Sequence, residues 1–516
     1  MKRVFCTVLP LAFQTAKLFK RSQFRTIPVS KTLHTIKEKK SNIIMEESLS
    51  KFFNYVDGNN QYLVSQLREA IPSVSADITK RSEVFRMAEW IKDRLTKLGA
   101  DAKFVDPGTQ QLQGQIVQLP PVILSRYGND PQKKNVLVYC HYDVQPALQS
   151  DGWETDPYSL IEKEDGRLVG RGGTDDKGPL IGWLLTLEVF SKIGAELPVN
   201  LLFCFEGMEE SGSLGLGKVV ADEANKWLKG VDYTIISDSA WNTKSRPTIS
   251  YGLRGNNYFS LGVSGPVADL HSGVFGGVVQ EPMVVLSKLL ASLVGIDGKI
   301  NIPGIYDQVM ELTEEEEKTY HKTSLTREDL ENSLGGDYLM QKDVIQSLMH
   351  RGRYPSLTIH GVEGAFYDPG SKTVIPASVK GKFSIRSVPY MDPATIKKIT
   401  IEYIEKEFKK LNSKCKLEVI AMRQGMWWYS SPNLKINIAA TKAMKRVYGK
   451  EPEYVRDGGS VPIAMVFEEQ LKSDVLLLPM GTYDDGAHST NEKLDKYNYT
   501  EGIKQFSALI HELSVL

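Results

Sequence analysis

The chain has four places where an apolar, strand-like run ends in a group able to bind a cation or move a proton. Asn135 to Cys140 leads into His141-Tyr142-Asp143, and Val199 to Phe205 leads into Glu206-Gly207-Met208-Glu209-Glu210. Val231 to Ser237 delivers Asp238, and Val475 to Leu478 precedes Gly481-Thr482-Tyr483-Asp484-Asp485-Gly486-Ala487-His488. Between the first two lies Gly170-Arg171-Gly172-Gly173-Thr174-Asp175-Asp176-Lys177-Gly178, a glycine-rich bend that opens a helix and aims Asp175. Singly, these read as a satisfied histidine, a helix cap or a surface acid. Together they differ, because an open α/β sheet gathers the carboxyl ends of its strands at one rim, where ligands bind. Several carboxylates there would repel and take up protons unless a cation neutralised them. Imidazole with carboxylate, and no thiolate, suits Zn²⁺ or Mn²⁺. Five such ligands exceed the three that one catalytic zinc takes, and two ions sharing a bridging carboxylate fit the count. Such a pair stabilises the oxygens of a hydrolytic transition state. The sequence has no Gly-x-Ser-x-Gly elbow, no His-Glu-x-x-His and no Gly-x-x-x-x-Gly-Lys-[Ser/Thr] loop.

These groups need a scaffold that alternates strands with helices. Helical patterns cover Met45 to Arg68, Lys80 to Leu98 with a stop at Gly99, and the buried stretch Gly178 to Gly194. Short apolar strands separated by helices predict an α/β layer with a largely parallel sheet. After Tyr251 the texture changes. Arg254 to Val263, Ser356 to Gly361 and Lys380 to Ser387 read as strands of a mixed sheet, with helices at Glu281 to Val294 and Pro393 to Lys410. This predicts an inserted α+β domain at 251–425, between catalytic parts at 45–250 and 426–516. Thr500 to Leu513 reads as a closing amphipathic helix. Glu314 to Glu317 reads as a solvated helix face.

Composition narrows the function classes. The 516 residues exceed what one core fills, so two domains are expected. Lys+Arg and Asp+Glu both number 63, which argues against nucleic acid as a partner. No apolar run reaches the roughly 18 residues of a membrane span. The four cysteines form no Cys-x-x-Cys pair and are too few for a disulfide scaffold. Residues 1–44 stand apart, with ten basic residues and the single acid Glu38, so the body carries about −9. That extension fits a mitochondrial transit peptide, and Val4 to Phe13 also fits a short secretory core. A disordered basic arm, or leader sequence before a start at Met45, is the plainer reading. The expected compartment is the cytoplasm, with mitochondrial import through 1–44 as the alternative.

His141-Tyr142-Asp143-Val144-Gln145-Pro146, the loop Gly170 to Gly178, Glu206-Gly207-Met208-Glu209-Glu210-Ser211-Gly212-Ser213 and Asp485-Gly486-Ala487-His488 resemble, in order and spacing, the motifs of the M20 metallopeptidases. Within these they resemble the carnosinase branch and its cytosolic non-specific dipeptidases. The similarity runs from about Met45 to the C-terminus. It implies a di-metal catalytic domain on a central, mostly parallel sheet, with an inserted lid and dimerisation domain. His141 and Asp238 would hold one divalent ion, Glu210 and His488 the other, and Asp175 would bridge them; the pair is Zn²⁺ or Mn²⁺. Asp143 would stand behind His141, fixing its tautomer. Glu209 would be the general base acting on a metal-bridging water. Adjacent side chains of an extended segment point in opposite directions, which suits a split between Glu209 and Glu210.

Four more residues gain roles from the resemblance alone. His271, in the glycine-rich loop Leu270 to Gly277, would reach the partner subunit's site and stabilise the oxyanion, which implies a homodimer. Thr373 and Ser460 would contact substrate, and Arg386 would bind a peptide's terminal carboxylate. Asp457 departs from the glutamate expected in that branch, which touches recognition of the substrate's amine. The implied activity is hydrolysis of dipeptides such as Cys-Gly. The alternatives are an N-acyl amino-acid hydrolase or carboxypeptidase of the same chemistry, or a non-catalytic scaffold.

Overall fold

The computed structural model describes residues 29–68 and 71–516, with side chains from Ile44 onward. The candidate targeting segment therefore lies, up to residue 28, outside the described residues. Contacts divide the chain into Met1–Ser48 and Leu49–Leu516. The first unit is helical where described, within the helix Val29–Gly58. Everything below concerns the second.

The centre of that unit is a nine-stranded sheet. Its four middle strands, Asn200–Glu206, Asn135–His141, Tyr233–Ile236 and Asp474–Leu477, are parallel neighbours. Asp101–Val105 and Val122–Tyr127 extend one edge in antiparallel fashion, and Thr248–Leu253, with Trp428–Tyr429 and Glu453–Arg456, extends the other. Parallel strands are covered on both faces and so read as unbroken apolar runs. Asn200–Glu206 is buried at every position. Its alternate side chains divide between two cores. Leu201, Phe203 and Phe205 join the helices Arg81–Lys97, Lys177–Lys192, Lys435–Tyr448 and Lys496–Ser514, while Leu202 and Cys204 pack with Leu216–Glu223 and Ile463–Leu471.

A second sheet has the order Ser356–Glu363, Ser378–Ser387, Gly255–Ser264, Lys416–Gln424. Every pairing in it is antiparallel, so the expected mixed sheet is corrected. The reason is its connections: its helices Pro282–Leu293 and Pro393–Lys410 both pack on one face, closing a core around Phe259, Leu286 and Phe383. The closing helix is corrected too. Lys496–Ser514 is buried at every position from Asn498 to Leu513 except Glu501, rather than along one stripe. The acidic helix Glu314–Tyr320 is solvated at Glu314 and Glu315, but Glu316 turns inward. There it pairs with Arg456 Nη2 at 2.8 Å and Arg353 Nε at 3.3 Å. Cys140, Cys204 and Cys415 are buried and free. Among the described residues, no helix is long and apolar enough to cross a membrane.

Trp183 ties the helix after the glycine-rich bend to the rest of the sheet. Its ring is fully buried and stacks on Phe506 at 4.1 Å, and its Nε1 donates to Ser237 Oγ at 2.9 Å, one residue before Asp238. Trp183→Ala should lower unfolding free energy by about 3–5 kcal/mol in a urea titration. A loss below about 1 kcal/mol would show that this contact does not hold the two elements together.

Candidate active site

Because the four middle strands run in parallel, their carboxyl ends open on one rim. His141 is the last residue of its strand. Glu209 and Glu210 lie in the short helical turn Glu209–Ser211, three residues beyond Glu206. Asp238 follows Tyr233–Ile236, and the loop after Asp474–Leu477 brings His488. Asp175 lies just before the helix Lys177–Lys192. The expected convergence is what the fold produces. A cavity of about 450 Å³ is lined by Asp175, Glu209, Glu210, Asp238 and His488 on the large-sheet side, and by Asn256, Arg386 and Arg423 on the other, with Asp457 and Ser460 beside them.

Asp175 touches both imidazoles. Its Oδ1 lies 2.9 Å from His141 Nε2 and its Oδ2 lies 3.0 Å from His488 Nε2. Glu210 Oε2 lies 3.1 Å from His488 Nε2 and accepts from Gln145 Nε2 at 2.8 Å. Ligand atoms of His141, Asp175 and Glu210 lie within 4.8 Å of one another, as do those of His141, Glu209 and Asp238.

The charges of this group conflict. Burial raises Asp238, and the charge on Asp175 adds to it, pushing Asp238 up to about 7. Burial raises Glu209 as well; His141 pulls it down, but Asp238, Asp143 and Glu210 push it to about 9. Burial would lift Asp175 too, yet its hydrogen bonds to His141 and His488 hold it well below the usual carboxylate range. Burial works against a charged His141, but its hydrogen bonds to Asp143 and Asp175 outweigh that and raise it. Hydrogen bonds to Asp175 and Glu210 lift His488 to about 10. A donor set of nitrogens and oxygens, with carboxylates driven toward protonation by one another, fits divalent cations of the Zn²⁺ or Mn²⁺ type.

Asp143 stands behind His141, fully buried with it. The main-chain oxygen of Asp143 accepts from His141 Nδ1 at 3.0 Å, and its carboxylate lies 3.5 Å from the same nitrogen. The carboxylate also accepts from the backbone amides of Glu209 and Glu210, each at 3.2 Å. It thereby fixes the turn that carries both glutamates.

Arg386 Nη1 donates to Ser460 Oγ at 2.6 Å at the far end of the cavity. His271 and Thr373 do not line it. They lie beside each other instead: His271 faces Val374 across a two-stranded pairing, and the Ser272 amide donates to the Thr373 carbonyl at 3.2 Å. His271 is exposed, and its Nδ1 accepts from the Gly273 amide at 3.0 Å.

Three functional positions escaped the sequence reading. Glu492 is fully buried and holds the loop before Asp175. One carboxylate oxygen accepts from Arg171 Nη1 at 2.7 Å and the Gly172 amide at 3.2 Å; the other accepts from the amides of Thr174 and Asp175 at 3.1 and 3.2 Å. Gln145, in the segment His141 to Pro146, donates to Glu210. Arg423 lies in a strand that was not foreseen. Nothing in the type or spacing of Gln145 or Arg423 marks them; only Glu492 has a signal, four residues after His488.

The profile of Peptidase family M20/M25/M40 matches residues 137–512. The chain is 50% identical over 472 residues to the Cys-Gly metallodipeptidase dug1 of Schizosaccharomyces pombe, covering 91% of this chain and 99% of that protein. It is 45% identical over 474 residues to the human Beta-Ala-His dipeptidase, covering 91% and 93%. The solved structure of the di-peptidase Dug1p from Saccharomyces cerevisiae superposes with a TM-score of 0.85 at 48% identity, covering 91% of this chain and 99% of that one. Strand ends, cavity and similarity agree: the chain belongs to peptidase family M20/M25/M40.

Proposed function

We propose that this protein is a metal-dependent dipeptidase that hydrolyses the amide bond of dipeptides such as Cys-Gly, with Glu209 as the general base. The observation that carries the reading is the meeting of His141, Asp175, Glu209, Glu210, Asp238 and His488 at one wall of a cavity whose opposite wall offers Arg386 and Ser460. Two divalent ions, Zn²⁺ or Mn²⁺, would be held by His141 and Asp238, by Glu210 and His488, and by Asp175 between them; when bound they supply Lewis-acid polarisation of the scissile carbonyl and acidify water. The relatives named Cys-Gly metallodipeptidase and Beta-Ala-His dipeptidase support the substrate class.

Glu209 takes the proton of the attacking water and returns it to the leaving amine. Burial disfavours its ionised form, which keeps it basic enough for that task. Asp143 holds the Glu209 and Glu210 amides, so both carboxylates keep their places while one carries the proton. Arg386, steadied by Ser460, receives the peptide's terminal carboxylate, and Asp457 receives its free amine. His271 and Thr373 belong to a lid at 251–425 that serves the partner's cavity in a homodimer. The Gly273 amide occupies His271 Nδ1, which leaves Nε2 as the donor to an oxyanion. The reading places the enzyme in the cytoplasm.

Purified protein loaded with Mn²⁺ or Zn²⁺ should split Cys-Gly and β-Ala-His, lose activity to a chelator, and prefer these to an N-acetyl amino acid. No turnover across a broad dipeptide panel would defeat the reading. Glu209→Gln should lower kcat by roughly 10²–10⁴-fold while metal content, read by elemental analysis, stays unchanged. A loss that follows metal content instead would assign Glu209 to the ligands.

Metal binding should also stabilise more strongly as pH rises. Asp238 ionises near 7 in the metal-free fold and near 3.9 when unfolded, so over that interval the unfolded chain holds fewer protons and the metal-free fold loses stability with rising pH. Glu209 extends the window to about 9. Cations relieve that loss and compete with protons for the ligands. The Tm gain on adding Mn²⁺ should therefore be larger at about pH 8 than at about pH 5.5. An equal or smaller gain at the higher pH would contradict direct ligation by these carboxylates.

A further inference from the structure

The wall that faces the acidic rim carries two arginines on separate strands. Arg386 lies on Ser378–Ser387 opposite Asn256, and Arg423 lies on Lys416–Gln424 opposite Tyr258. Residues 256 and 258 share a face of Gly255–Ser264, and directly opposed residues of antiparallel strands share a face as well. Both arginines therefore rise from one face, on the two strands that flank the middle one, and both line the cavity. Two strand spacings across and two residues along set their stems about 12 Å apart. Arg386 turns to Ser460 Oγ. Arg423 reaches the turn that follows Glu210, where its Nη1 lies 3.8 Å from the position a Cβ on Gly212 would take. Neither guanidinium has a carboxylate partner among the described residues. Burial holds Arg386 below its ordinary value, and the charge on Arg423 adds to that.

We infer that Arg423 is a specificity-determining residue that binds a carboxylate on the side chain of the substrate's C-terminal residue, so that the favoured dipeptides end in aspartate or glutamate. The inference rests on the dipeptidase reading. Arg386 takes the α-carboxylate. Sharing that one group with Arg423 would require both arms to fold together against their own repulsion. An acidic C-terminal residue carries two carboxylates a few bonds apart, which neutralise one arm each through charge-assisted hydrogen bonds. Arg423 is exposed, so its contribution is moderate and sensitive to salt.

Ala-Glu and Ala-Gln have nearly the same shape and differ by one charge, which makes their kcat/KM ratio the readout. With metal-loaded wild type at low ionic strength, the ratio should favour Ala-Glu by about three- to tenfold and shrink as salt is added. It should fall to near unity in Arg423→Gln and invert in Arg423→Glu. A wild-type ratio at or below unity, or a ratio unchanged by Arg423→Gln, overturns the inference. The second result is the one expected if both arginines clamp a single α-carboxylate. Turnover of Ala-Gln with no charge preference would sink this inference alone. Turnover of neither peptide would sink the dipeptidase reading, and the inference with it.

Discussion

Four carboxylates held at one mostly buried rim repel one another, and the architecture around them answers that repulsion. Two like charges about 4 Å apart cost about 4 kcal/mol at an effective dielectric near 20. A fold worth about 5–15 kcal/mol in total cannot carry several such terms uncompensated. Relief can come from protons, as the raised Asp238 and Glu209 show, or from cations. The imidazoles of His141 and His488 supply part of it, since both are drawn toward the charged form by the acids they touch. A rim built this way is a binding device for positive charge before it is anything else.

Repulsion also means the acids must be held in place by something other than each other. Backbone amides do this. Asp143 is gripped by the amides of Glu209 and Glu210, and Glu492 by the amides of Gly172, Thr174 and Asp175 together with Arg171. Asp143 and Glu492 thus orient the segments that bear the rim acids through their amides, and their own negative charges add to what the rim offers a cation. Asp485 repeats the pattern, accepting from the Thr482 amide at 2.8 Å and from Thr174 Oγ1 at 2.9 Å, with Lys493 Nζ at 2.6 Å. The loops that bear Asp175 and His488 are thus tied to each other, which matters because their residues are far apart in the chain.

What was legible in the sequence follows from this division. His141, Asp238 and the two glutamates could be found because each stands just beyond an apolar run, and parallel strands necessarily open on one edge. The layering was legible for the same reason: Asn200–Glu206 is apolar throughout because both its faces are covered. Tertiary partner choice was not legible. That the Asp143 carboxylate meets two amides as well as a ring nitrogen is decided by the turn at Glu209–Ser211, which has no counterpart in the spacing of the motif. Glu316 looked like one more solvated acid in a run of four; its two arginine partners come from Arg353 and Arg456, and no local pattern joins them. Arg423 went unseen because Lys416–Gln424 alternates exposed and half-buried positions at the edge of its sheet, without the apolar run that exposed the other strands.

The two ends of the cavity are held by different networks, and that has a chemical consequence. The rim depends on Glu492, Asp143 and Asp485. The opposite wall depends on Arg254, whose Nε donates to the Gly458 carbonyl at 3.0 Å, whose Nη1 donates to Ser356 Oγ at 2.8 Å, and whose own carbonyl accepts from Ser460 Oγ. Arg456, one residue before Asp457, is stacked near Tyr429 at 5.2 Å and paired with Glu316. None of these side chains belongs to the rim. Groups in separate networks with no shared partner vary independently. The wall can therefore change the peptides it accepts, through residues such as Asp457 and Arg423, while the arrangement that gathers charge and moves a proton stays as it is.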